Sequence, residues 1–474
     1  MPLRLNTPTG RWTIAATVLG SAMVFLDGTV VNIALPALGR DLDAGVSELQ
    51  WVLNGYLLAL ASLILLGGSL GDRFGRKRVF CVGAVWFMVA SVLCGIAPSA
   101  DALIAGRVLL GIGGALLAPG SLAILEAGFA VEDRARAIGI WSGFAGVSTA
   151  IGPPLGGWLI DAVSWRAVFF LNLPLGVVVL LLTLRHVPES RDESLEGPLD
   201  FLGAGLAALA LAGISWALIE GPGRGFGAPE VLAAMLLGVL ASALFVVRER
   251  RATEPMLPLE LFRSRTFSAA NALTFLIYGA FGGALVLLAV LLQTALGYSP
   301  LVAGAATLPV TIVMLLFSAR AGALAQRIGP RLPLTVGSLV IAAALVSMRR
   351  VTPDSSYLTG VLPAILLFSV GLVAVVAPVT ATTLASAPVE RAGVASAVSN
   401  AVSRTGQLFA IALLPALGGL VGDEYADPHA ITSAFHIAVL AAAALCVLAA
   451  AIAWLAIDDE CLNRSEMPAG IAAD

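Results

Sequence analysis

One lysine, Lys77, occurs in 474 residues, and Arg78 follows it. A nucleotide-phosphate loop needs Lys followed by Ser or Thr, so that ATP-binding motif is absent. The three histidines, His186, His429 and His436, are scattered, and no His–carboxylate spacing points to zinc. The four cysteines, Cys81, Cys94, Cys446 and Cys461, have neither metal-site nor disulfide-framework spacing. Charge is scarce too. Only 12% of residues are charged, where a soluble domain carries roughly 25%. That scarcity excludes an ordinary soluble fold. The basic run at residues 248–251 reads as a topology signal rather than a nucleic-acid site.

Apolar residues make up 59% of the chain and recur in long runs along its whole length. A membrane-spanning helix needs about 20 such residues, so the sequence predicts an all-α polytopic membrane protein. Fourteen segments qualify: 13–36, 49–71, 79–98, 101–125, 136–160, 166–184, 200–219, 230–247, 266–292, 299–319, 332–348, 358–380, 394–421 and 432–457. An even count puts both termini on one side. With that assignment 20 of the 27 Lys and Arg fall on the terminal side and five (Arg40, Arg166, Arg224, Arg349, Arg350) on the other. Lys and Arg resist translocation, so both termini are expected in the cytoplasm. The N-terminus, with Arg4 and Arg11, runs into the first segment without a small-residue cleavage site, which predicts a retained helix. The 50 glycines suit helices packed backbone to backbone.

Between the second and third segments lies Gly68-Ser-Leu-Gly-Asp-Arg-Phe-Gly-Arg-Lys-Arg78. Gly68 and Gly75 allow a tight turn, while Asp72, Arg73, Arg76 and Lys77 put charge on the cytoplasmic side. The pattern G-x-L-x-D-R-x-G-R-K resembles the loop between spans two and three of the major facilitator superfamily. A faint echo, Gly322-Ala-Leu-Ala-Gln-Arg-Ile-Gly-Pro-Arg331, repeats Gly, Leu, Arg and Gly at the same spacing. Two six-span bundles related by such a repeat are the architecture that the resemblance implies. The expected division is 1–185 for the first bundle, 186–265 for an inserted helix pair with cytoplasmic linkers, 266–457 for the second bundle and 458–474 for a cytoplasmic tail. The loop would act as a cytoplasmic gate, latching the bundles together in the outward-facing state.

Asp27 is the sharpest chemical candidate, because an acid deep in a membrane span needs a partner, water or a proton. It can be a reversible proton carrier, or a carboxylate locked to a neighbouring helix. Arg107 is the expected neighbour. Asp27 lies about 21 Å in from the cytoplasmic start of its span, and Arg107 about 9 Å in from the outer end of the fourth, so both reach the outer half. Arg107 can equally brace the bundle through backbone carbonyls. Its surroundings, Leu103-Ile-Ala-Gly-Arg107-Val-Leu-Leu-Gly111, resemble the superfamily's fourth-span motif, linked to proton transfer. Leu110 replaces the polar residue frequent there.

The fifth segment carries Gly139, Gly152, Pro153, Gly156 and Gly157, which give a smooth groove and a kink. It resembles the antiporter motif G-x8-G-x3-G-P-x2-G-G, with Ser148 in place of the second glycine. Leu26 to Pro36, Trp165 to Pro174 and Pro255 to Arg263 further resemble the fourteen-span drug:proton antiporter family, nearly from end to end. Asn400, Arg404 and Gln407 share one face of the thirteenth segment and are candidates for a substrate cavity or for helix packing. Tyr56, Trp141, Phe144, Phe275 and Tyr278 are the aromatic cavity candidates. Trp12, Trp51, Trp165 and Trp454 sit near segment ends and read as interface anchors.

The resemblance implies alternating access in a bacterial inner (plasma) membrane, with protons moving in and a small, mostly apolar organic compound moving out. Such a protein needs no metal and no cofactor beyond the proton gradient, touches lipid and substrate but no nucleic acid, and works as a monomer. The spans expected to face a cavity carry no second deep acid, which favours neutral, zwitterionic or weakly anionic substrates over dications. Two alternatives stand beside drug efflux: a dedicated exporter of a self-made metabolite or antibiotic, and a membrane sensor or enzyme on a facilitator scaffold.

Overall fold

The computed structural model describes residues 3–192, 199–252, 255–388 and 391–464. Part of the expected first linker (193–198) and most of the expected tail (465–474) lie outside the described residues. Helices dominate, and the described residues contain no strand, only an isolated bridge of Leu3 to Phe129. The long helices are α1 (Pro8–Leu42), α2 (Val46–Phe74), α3 (Arg76–Gly95), α4 (Ala100–Gly128), α5 (Val131–Ala162), α6 (Arg166–His186), α7 (Phe201–Arg224) and α8 (Pro229–Arg251). They continue with α9 (Arg265–Thr294), α10 (Pro300–Ile328), α11 (Arg331–Arg350), α12 (Tyr357–Ala385), α13 (Ala392–Leu417) and α14 (Pro428–Ala456). All except α5 and α13, twelve in number, are long and apolar enough to cross a membrane. The two exceptions are rich in polar or small residues. Glu132, Asp133, Arg134 and Arg136 open α5, and Asn400, Ser403, Arg404, Thr405 and Gln407 run along α13.

Local chemistry starts these helices where expected. Thr7 accepts from Gly10 N at 3.1 Å ahead of Pro8, and Ser99, Asp200, Ser264 and Asp427 cap α4, α7, α9 and α14. The helices extend beyond the apolar runs, α1 by five residues or more at each end, because polar residues continue a helix that is already nucleated.

One set of neighbour pairings occurs twice. In the first half α2 packs on α4, α3 on α4, α1 on α5, α1 on α6 and α3 on α6. In the second half α10 packs on α12, α11 on α12, α9 on α13, α9 on α14 and α11 on α14. α7 and α8 pack on each other, and α7 also touches α2 and α13.

The sequence echo is matched in space. Gly75 and Gly329 both take positive φ, 107° and 85°, at equivalent points of the two loops. A carboxylate that follows the sixth helix of its half then caps the next helix. Glu189 Oε1 accepts from Lys77 N at 3.0 Å, and Asp459 Oδ1 accepts from Arg331 N at 3.0 Å. A Cβ on Gly75 would lie 2.7 Å from the Glu189 carboxyl, and one on Gly329 would lie 2.5 Å from Asp459 Oδ1. Glycine is therefore required twice over at both turns.

The halves meet at the end remote from the termini. There Val46 N donates to Gly422 O at 2.6 Å, Gln50 Nε2 to Ile411 O at 2.9 Å, Gln293 Nε2 to Ile33 O at 3.0 Å and Leu301 N to Asp161 Oδ2 at 3.0 Å. One expected interface anchor is corrected at this end. Trp165 is only 4% exposed, donates to Asp41 Oδ2 at 2.8 Å and lies under the Arg166 guanidinium at 4.2 Å. Nearness to a helix end gave its depth but not the face it occupies. Trp12 and Trp454 are exposed, as anchors should be.

Candidate functional site

Asp27, in the middle of α1, and Arg107, in α4, form a buried ion pair, and each residue is 1% exposed. Burying two charges is expensive unless their remaining hydrogen-bonding capacity is filled. Here it is. Arg107 Nε donates to Val52 O at 2.9 Å, and its guanidinium lies 4.5 Å from the centre of the Tyr56 ring. Tyr56 is held in turn by donating to Val24 O at 3.0 Å. Asn172 Nδ2 reaches Asp27 Oδ1 at 3.4 Å and Ser91 Oγ at 3.1 Å. The pair therefore joins α1, α2, α3, α4 and α6 in one network. Sequence reasoning paired Asp27 with Arg107 but missed Asn172 and Ser91. The available signal was an asparagine set in the apolar stretch Trp165 to Pro174, where α6 is interrupted at Leu171.

Tyr56, expected in a cavity wall, is enclosed at 1% exposure and serves as the floor beneath Arg107. Trp141 donates to Ser21 Oγ at 2.9 Å and ties α5 to α1, while Phe144 is 52% exposed. Phe275 meets Phe409 edge to face, and Tyr278 meets Phe281, which stacks on Phe368. Arg404 lies 5.6 Å from the Phe25 ring across the boundary between the halves. Gln407 abuts Gly282. Asn400 is exposed although it belongs to a helix of the bundle, as suits a water-filled space. Apart from these residues, a cavity of about 600 Å³ opens beside the N-terminal lead, lined by Arg4, Arg11, Asp133 and Arg136 among others; neither Asp27 nor an expected cavity residue lines it.

The loop at 68–78 is tied to the segment after α6. Asp72 Oδ1 accepts from Arg76 Nε at 2.9 Å, and Asp72 O accepts from Asp192 N at 2.7 Å. Lys77 Nζ donates to Leu184 O at 3.0 Å. In α5, Gly152 and Gly156 lie against Thr29 and Val30 of α1, and Gly157 lies against Pro300 of α10. Gly139 faces open space, where an added Cβ would meet nothing within 4 Å.

Known proteins extend this picture. Residues 17–411 match the Major Facilitator Superfamily. The tetracenomycin C resistance and export protein of Streptomyces glaucescens is 39% identical over 88% of this chain and 78% of its own length. The methylenomycin A resistance protein of Bacillus subtilis (strain 168) is 34% identical over 95% of both chains. Among solved structures, a bacterial homolog of the human lysosomal transporter Spinster shares the fold, with a TM-score of 0.68 and 19% identity over 98% of this chain and 100% of its own. The family match and these relatives make the protein a multi-span membrane transporter, not an enzyme. The chain belongs to the Major Facilitator Superfamily.

Proposed function

We propose that this transporter is a fourteen-span, proton-coupled antiporter that exports small, mostly apolar organic compounds from a bacterial cell by alternating access in the plasma membrane. The observation that carries the reading is the buried Asp27–Arg107 pair. A carboxylate whose counter-charge sits on another helix can exchange that partner for a proton, and the exchange alters how the helices hold together. Asp27 takes up a proton from outside, which favours the inward-facing state, and releases it to the cytosol. Arg107 stabilises the ionised form, and Asn172 can hold either form. The two bundles (1–185 and 266–457) would rock about the site, with α7 and α8 as the inserted pair; the recurrence of the same helix neighbours in both halves supports that division. The relatives named for antibiotic and multidrug resistance support the substrate class. One proton moving down 100 mV supplies about 2.3 kcal/mol, enough for a roughly fifty-fold substrate gradient at one-to-one exchange.

The test is efflux of a lipophilic dye from sealed vesicles with and without an imposed proton gradient. Dye leaving only when the gradient is present is the expected result; equal rates in both conditions would sink proton coupling.

A second reading, a dedicated exporter of a compound that the host itself makes, is supported by the Streptomyces relative named for both resistance and export. A transport screen that pairs unrelated drugs with extracts of the host's own metabolites separates breadth from dedication.

The loop at 68–78 acts as the latch of the outward-facing state. Asp72 is its acidic element, and its ion pair with Arg76 is partly exposed, at 34% and 16%. Such a pair is worth about 0.2–1 kcal/mol, or up to about fivefold in a conformational balance. Asp72→Asn is therefore expected to slow transport by about that factor. Unchanged transport and an unchanged balance between the two states would defeat the latch.

A further inference from the structure

The second cation of the interior has no counter-ion. Arg404 is half-buried and, among the described residues, forms no hydrogen bond and no ion pair; its one close contact of note is the Phe25 ring at 5.6 Å. Asp27 is already engaged by Arg107. No Asp or Glu occurs anywhere in α9, α10, α11, α12, α13 or α14, and none occurs in α2 between Gln50 and Gly71. The centre of the bundle therefore holds two arginines and one carboxylate, a surplus of one positive charge. An uncompensated charge at that depth is costly and marks a pathway or a ligand site.

The setting of Arg404 suits a flat molecule. It projects from α13 towards Phe25 of α1, and α13 packs on α9, the helix of Phe275 and Tyr278, where a Cβ on Gly406 would lie 2.4 Å from Phe275 O. Gln407 is one turn away on the same face. On the side remote from the termini, the bonds of Gln50 to Ile411 O and Ala412 O close the space. One turn inward from Gln50, on the same face of α2, Asn54 is fully buried, and neither its Nδ2 nor its Oδ1 has a partner. α2 and α13 pack together in opposite directions, so Asn54 stands at the level of residues 407–408, between the Gln50 seal and Arg404. A buried amide left without a bond is rare and calls for a partner.

We propose that Arg404 recognises an acidic group on the transported compound, so that the cavity selects flat aromatic or polycyclic organic acids carrying one carboxylate or ionised phenol. The guanidinium supplies a forked pair of donors to the anion, Phe25 and Tyr278 flank the ring system, and Asn54 and Gln407 offer neutral hydrogen bonds to ring substituents. The surplus charge is neutralised only when substrate is bound. Export of an anion is also favoured by a cell interior that is electrically negative. This inference rests on the export reading for its cavity, but it can fail separately.

The experiment compares two probes of the same shape, 2-naphthoate and 2-naphthamide, binding to the purified full-length protein in lipid nanodiscs at pH 7 by calorimetry. Wild type is expected to hold naphthoate at least tenfold tighter than naphthamide. Arg404→Gln should bring that preference close to unity, and Arg404→Lys should restore part of it, with thermal unfolding of each variant recorded as a check on folding. A wild-type protein that holds both probes equally, or that does not bind naphthoate, overturns the proposal. So does an undiminished preference in Arg404→Gln. Dye efflux by wild type distinguishes the two readings: gradient-driven efflux without a naphthoate preference removes the anion site alone, and a naphthoate preference without gradient-driven efflux removes proton-coupled export alone.

Discussion

Asp27→Asn is expected to abolish proton-driven efflux. The substitution keeps the shape of the side chain and its contact with Asn172, but it removes the charge that pairs with Arg107 and the pair's one carboxylate, arginine being always protonated. Arg107 would remain buried, with Val52 O and the Tyr56 ring as its partners. Removing one member of a buried ion pair costs about 3–5 kcal/mol, because the other charge is left without compensation. Loss of transport could then come from lost coupling or from lost stability, and a second substitution separates them. Asp27→Asn combined with Arg107→Gln removes both charges. It is expected to recover most of the thermal stability and none of the gradient-driven efflux. If the double variant exports dye along an imposed gradient, Asp27 is a structural counter-ion and the coupling group lies elsewhere. Dye binding should persist in both proteins, since neither change touches the Phe275–Phe409 or Tyr278–Phe281 contacts.

The same pair shows what the sequence could reveal. Counting residues from span ends placed Asp27 and Arg107 at similar depth, but depth alone left open whether Arg107 pairs with Asp27 or braces backbone carbonyls, and the structure shows that it does both. Depth was not enough for neutral residues either. Asn172 and Ser91 look like many other small polar residues in apolar helices, and only the interruption of α6 at Leu171 and the packing of α3 on α6 bring them to Asp27. Tyr56 and Trp165 illustrate the same limit for aromatics, since their positions along the helix were legible but the faces they occupy were not. The carboxylates at Glu189 and Asp459 were invisible for another reason. Each lies more than a hundred residues after the loop it caps, and neither stands in a motif. The repeat of the two loops pointed to equivalent turns, and the fold supplies equivalent acids to them. The apolar runs were the most legible feature, because hydropathy over about 20 residues averages out local exceptions, and twelve of the fourteen correspond to helices long and apolar enough to cross a membrane. Hydropathy weakened in α5 through the charges that open the helix and through Gly152, Pro153, Pro154, Gly156 and Gly157, and in α13 through Asn400, Arg404 and Gln407.

Gly304→Val is expected to hold the protein open at the end remote from the termini. A Cβ on Gly304 would lie 2.3 Å from Pro153 O, and one on Gly157 would lie 2.3 Å from Pro300 O. Both obstacles are backbone atoms, so no side-chain rotation relieves the clash. The two glycines face each other's helices, α5 and α10, and the clash arises only while those helices touch. The strain therefore falls on the closed state and spares the open one, which turns a packing defect into a shift of population. Overpacking of this kind costs about 1–3 kcal/mol, or about five- to 150-fold in the balance between the two states. Spin labels at Val163 and Val302, both exposed at that end, would report the change as a longer distance between α5 and α10. Gly205→Val is the control, because nothing lies within 4 Å of its Cβ position. Identical distance distributions for Gly304→Val and the control would mean that the glycine contact does not hold that end shut. A longer distance accompanied by slow efflux would tie the glycine–proline motif of α5 to closure of that end, giving a physical reason for the small residues at its contact with α10.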